Sequence, residues 1–113
     1  MSAYAVGHLK PAAQHEEIFE YMERIQATLD LFGGHFLVHG TEVEVREGDW
    51  PGYLVVIGFP DLEQARAWYD SDAYQEIVPL RTRHITGAVV LADGVAPGYD
   101  AAHTAAALRA LAV

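Results

Sequence analysis

The run Tyr53-Leu54-Val55-Val56-Ile57-Gly58-Phe59 constrains the fold more than any other stretch of the chain. It is rich in β-branched and aromatic residues and reads as a strand. Side chains alternate across a strand, so Tyr53, Val55, Ile57 and Phe59 face one way and Leu54 and Val56 the other. Both faces are therefore apolar, which places this strand centrally in a sheet and requires cover on two sides. Glu47 to Gly52 in front of it is turn chemistry.

The flanking segments supply one of the two covers. Tyr4 to Lys10 is a second strand, after which Pro11 marks the approach to a helix. Ile18, Met22, Ile25, Leu29 and Phe32 recur at spacings of four and three and form the apolar face of that helix. Gly33-Gly34 stops it, because glycine accepts the left-handed conformation of a helix C-terminus. His35 to Gly40 reads as a strand, and the alternation from Glu42 to Arg46 extends it. After the central strand, Asp61 is placed to cap a helix with Leu62, Ala65, Trp68 and Tyr69 on its apolar side. Ser71 caps a further stretch with Tyr74, Ile77, Val78 and Arg81 on one face, which Pro79 is expected to kink or restart. Gly87 to Ala92 is the last strand.

The order is β-α-β-β-α-β, the ferredoxin-like α+β arrangement, with two amphipathic helices on one side of a four-stranded antiparallel sheet. It occupies residues 1–94. The other sheet face stays open, and a twofold partner is the simplest cover for an apolar face of that size, so a homodimer is expected. Residues 95–113 form an Ala-rich extension that favours helix and is expected to dock on the core or the partner through Leu108 and Leu111.

Composition narrows the chemistry. A chain of 113 residues is one domain, and without cysteine it has no disulfide, no thiolate metal site and no cysteine nucleophile. Seven basic residues against sixteen acidic ones give a net charge of −9, which argues against nucleic acid and anionic membranes as partners. No basic signal start and no membrane-length apolar run occurs, and a cytoplasmic location is the expectation.

Taken together, Phe32-Gly33-Gly34-His35-Phe36-Leu37-Val38-His39-Gly40, Glu47-Gly48, Val55 to Pro60, Ala65, Trp68-Tyr69-Asp70-Ser71, Tyr74-Gln75, Arg81 and Asp93-Gly94 resemble the family called domain of unknown function 1330. The resemblance covers roughly residues 3 to 94. It implies the dimeric α/β-barrel superfamily, in which two ferredoxin-like protomers appose their sheets and whose members include small monooxygenases and muconolactone isomerase-like enzymes. It implies no particular reaction. The sequence departs from the family pattern where Gly58 stands in place of a glutamate and Thr41 in place of a glycine.

No phosphate-binding glycine loop, nucleophile elbow, dinucleotide fingerprint or zinc-protease helix is present, and no cofactor is expected. His35 and His39 would stand about 13 Å apart along a strand, too far to share one ion, and no metal site is assigned. His35, Leu37 and His39 are expected on one strand face. If that face lines the space under the helices, His35 is the candidate general base, since imidazole titrates near neutrality. Glu47 is the second catalytic candidate; it and Trp50 sit in the loop before the central strand, where a carboxylate and an indole could close over a pocket and contact substrate. Trp68, Tyr69 and Tyr74 cluster around Ser71 and could orient a bound ring. Arg81, seven residues after Tyr74 and on the same helix face, points inward and needs a partner. That partner is either Glu47, in a bridge from helix to loop, or an anionic substrate. The reading that follows is a cofactor-independent enzyme, oxygenase- or isomerase-like, acting on a small anionic or aromatic molecule between sheet and helices. The alternative is a non-catalytic dimeric module for ligand binding or interaction.

Overall fold

The structure is a computed structural model and describes residues 2–112. Its elements are β1 (Ala3–Leu9), α1 (Glu16–Asp30), β2 (His35–Glu42), β3 (Tyr53–Phe59), α2 (Leu62–Asp70), α3 (Asp72–Thr82), β4 (Gly87–Asp93) and α4 (Ala101–Leu111). The strands form one antiparallel sheet in the order β2-β3-β1-β4, which puts the Tyr53–Phe59 strand in the interior as its two apolar faces require. This is the ferredoxin-like α+β fold with an extra C-terminal helix.

The helices cover one sheet face. Ala5, Ile57 and Phe59 from the sheet pack against Ile25 and Leu29 of α1, Ala65 and Trp68 of α2, and Tyr74 and Ile77 of α3. Trp68 is 1% exposed, and its indole N–H donates to Thr28 Oγ1 at 3.0 Å, so its one polar atom is satisfied inside the core. Asp61 caps α2 by accepting from the Gln64 N–H at 2.8 Å. Ser71 ends α2 and caps α3, accepting from the Tyr74 N–H. Gly33, at φ +71°, turns the chain out of α1, and the Gly34 N–H reaches back to the Leu29 carbonyl.

Five local expectations are corrected. Pro11 does not open α1: the helix begins at Glu16, where His15 Nδ1 accepts the Glu17 N–H and acts as the cap. Met22 is 47% exposed, and the inward position of that turn belongs to Tyr21. The strand extension ends at Glu42, because β3 begins with its pairing partner Tyr53 and leaves Val43 to Arg46 nothing to pair with. Pro79 neither kinks α3 into two helices nor restarts it; the break falls earlier, at Ser71.

The fifth concerns α4, expected to dock on the core or the partner: it does not dock on its own protomer's core, since none of its residues is buried and Leu108 and Leu111 are exposed. The second sheet face also stays open. It carries Val6, Leu54, Val56 and Val90 in register, with Val38 at the β2 edge. Val90 is 54% exposed, high for a valine in a paired strand.

Candidate functional site

A partly enclosed cavity of about 70 Å³ lies between the helices and the sheet. Its floor is Ala5, Val55 and Ile57; Ile18 and Ile25 form the α1 wall. Polar chemistry enters at few points, through Tyr21, Tyr74, Arg81 and His39. The cavity shares Leu9, Ile18, Met22, His39, Val55 and Ile85 with a surface groove of about 260 Å³, so the groove is its mouth.

Arg81 is placed by helix spacing. Tyr74 and Arg81 are both on the buried side of α3, and Tyr21 meets them from α1. The two tyrosine hydroxyls share a hydrogen bond of 2.8 Å, and the Arg81 guanidinium lies over the Tyr21 ring, 5.5 Å from its centroid. Burial, and then the neighbouring Tyr74, push the Tyr21 hydroxyl well above the ordinary tyrosine range, so it stays protonated and neutral. Burial opposes the Arg81 charge, but the oxygens of Tyr21 and Tyr74 outweigh it and hold its pKa above the usual value. Among the described residues, no carboxylate comes within salt-bridge distance of Arg81. The bridge to Glu47 is thus not formed. Arg81 is 7% exposed and carries its charge beside two tyrosine side chains.

His39, not His35, reaches the cavity. The reason lies in the register of β2, which shifts against β3 between Phe36 and Val38 and again between His39 and Thr41. The extra residue, Leu37, inverts the alternation after it, so Phe36 and His39 both lie on the helix side, opposite Ile57 and Val55. Their rings are 4.7 Å apart. His35 pairs with Gly58 and lies on the open face, where its ring comes within about 3.1 Å of where a Cβ on Gly58 would be. Gly40, at φ +65°, makes the second shift without strain.

The remaining predicted site residues divide. Trp68 and Tyr74 line the cavity, with ring centroids 4.0 Å apart. Tyr69 packs against both from the side and does not line it. Glu47 and Trp50 lie in a separate shallow depression with Val43, Val45 and Leu54, and the Trp50 ring packs at a tilt against His8, centroids 4.5 Å apart. Tyr21 was missed, although Tyr21, Ile25 and Thr28 follow the same three-and-four spacing as the rest of the buried stripe.

The family model for the domain of unknown function DUF1330 matches residues 2–95. The chain belongs to this family. The DUF1330 segment contains the whole sheet, the cavity and all four of its polar side chains; α4 lies outside it. Solved structures with the same fold include a protein of unknown function from Rhodopseudomonas palustris, at TM-score 0.64 and 14% identity over 85% of this chain and 84% of that one. A cofactor-independent oxygenase from Streptomyces nogalater aligns at TM-score 0.58 and 14% identity, over 88% of this chain and 98% of its own. A dimeric ferredoxin-like protein of unknown function from Jannaschia sp. CCS1 aligns at TM-score 0.54 and 15% identity, over 85% and 100%. No curated protein matches the chain. Among the described residues, no helix of this DUF1330 protein is long and apolar enough to cross a membrane.

Proposed function

We propose that this DUF1330 protein is a homodimeric, cofactor-independent enzyme that binds a small organic anion in the cavity and moves a proton on it, in the manner of an oxygenase or isomerase. The observation that carries the reading is Arg81, a buried cation whose polar neighbours are phenols rather than a carboxylate. The Tyr21 and Tyr74 oxygens stabilise this cation without neutralising it, and the guanidinium fork suits a carboxylate or an enolate. Burial in an apolar wall also strengthens its pull on any negative charge that develops in a reaction.

His39 replaces His35 as the base. A substrate proton passes to its free imidazole nitrogen, and the electron pair left on the substrate becomes an enolate or phenolate facing Arg81. The Tyr21–Tyr74 hydroxyl pair orients that oxygen. A cavity of about 70 Å³ is smaller than the roughly 150 Å³ that accommodates benzene. The ligand therefore puts its acidic end inside and lays an apolar body in the groove against Phe19 and Met22. The open sheet face, with Leu54, Val56 and Val90, is the surface for a second copy, and the dimeric state of the Jannaschia relative supports this.

Among the described residues, no carboxylate lines the cavity, which favours a second reading as a binding module that holds the same anion without reacting it. Solvent-deuterium exchange separates the two. Incubated in D2O with a set of enolisable and phenolic acids, the wild-type protein should accelerate exchange of an acidic C–H in at least one of them, and His39→Ala should abolish it by about a hundredfold or more. Binding of these acids without exchange would leave only the module. Exchange retained in His39→Ala would remove His39 as the base.

A further inference from the structure

A second cluster of chemistry-bearing side chains lies outside the cavity, where the β1–α1 connection meets the end of α3. His15, Glu17 and His84 each present one donor atom, all within 4.8 Å of one another. The two imidazoles are stacked, with centroids 3.9 Å apart and planes 21° from parallel. His84 Nε2 lies 2.8 Å from Glu17 Oε1, while Arg83 Nη1 donates to Glu17 Oε2 at 2.7 Å.

We propose that these three residues form a binding site for a divalent metal ion of the zinc type. Two imidazoles and one carboxylate are a donor set that zinc accepts, with a water molecule completing a tetrahedron. The rings are close but nearly parallel, so one imidazole must tilt for both nitrogen lone pairs to converge on one ion. Metal–donor bonds of about 2.0 to 2.2 Å in a tetrahedron separate the donors by roughly 3.4 Å, so the cluster closes on an ion by side-chain rotation alone. Arg83 holds the outer carboxylate oxygen and leaves Oε1 for the metal, the role usual for an outer-sphere partner. At His15 the ion competes with the Glu17 N–H for Nδ1, so a cap hydrogen bond is exchanged for a metal bond. The ligands come from residues 15, 17 and 84, which meet only in the folded chain, so the ion stabilises that chain. Gln14, Ile18 and Ile85 sit beside the ligands and line the groove, so the same ion fixes the mouth of the cavity.

The test uses the full chain freed of metal by a chelator and titrated calorimetrically with zinc chloride, with melting followed in parallel. One zinc per protomer and a rise in melting temperature are expected, with affinity reduced roughly tenfold or more in His84→Gln and in Glu17→Gln. The Co2+ form of the wild-type protein should show the visible bands of a four- or five-coordinate ion, a readout that does not depend on how the variants fold. Absence of binding would overturn the site, as would binding that both variants retain or a Co2+ spectrum of an octahedral, solvent-like ion. His39→Ala should bind zinc as wild type does, so failure of the proton-transfer reading and failure of the metal site are distinguishable.

Discussion

Thr28 does two things with one hydroxyl: it donates to the Ile25 carbonyl at 2.7 Å and accepts the Trp68 indole N–H at 3.0 Å. The second bond holds the cavity wall, because Trp68 is its largest buried side chain and packs directly on Tyr74. Replacing Thr28 with Val keeps the volume and strands the indole N–H in an apolar core. The expected cost is about 1 to 3 kcal/mol, the penalty for an unmet buried donor. A urea titration should show a lower midpoint with an unchanged slope; an unchanged midpoint would mean that the bond contributes nothing. The residue scale also shows where sequence reading stops. Arg81 is legible as an inward cation from its spacing to Tyr74, but its surroundings are not, since Tyr21 meets it from another helix and Glu47 lies in a separate depression. Apolar periodicity places Met22 on the inward face and passes over Tyr21, whose buried hydroxyl is met by Tyr74.

At the scale of elements, the helices and strands were legible because their apolar periods are strong, and the bulges of β2 were not. An alternating pattern places His35 and His39 on one face; an extra residue at Leu37 leaves the composition of the strand unchanged while moving His39 to the other side. That single register shift moved the candidate base by four positions. The contact between α1 and α3 allows a prediction of its own. Glu17 joins them, and its hydrogen bond from His84, reinforced by Arg83, lowers its pKa below the ordinary value of 4.5. A carboxyl lowered on folding contributes stability above its unfolded pKa, and that stability is lost as pH falls through the folded value. Glu17→Gln should therefore melt below wild type near pH 7, and the two curves should converge as pH falls below 4.5. A gap of constant size across that range would contradict the ionic account of the contact.

At the scale of the whole molecule, the sheet has two faces with different uses. The helix-covered face holds the cavity with Arg81 and His39, and the open face holds His35 and an apolar surface without cover. With protomers of 12.4 kDa, sedimentation equilibrium should give a species of about twice that mass, and Val90→Arg should shift it toward monomer. A wild-type monomer at micromolar concentration would remove the second copy from the account.

Titration calorimetry on wild type and Arg81→Met tests whether Arg81 anchors an anion. Because no carboxylate among the described residues pairs with Arg81, the variant strands no charge and should keep its stability within about 1 kcal/mol. Aromatic acids should bind the wild-type protein and fail to bind the variant, while their neutral amides should bind neither. Equal affinity of the acids for both proteins would contradict the claim.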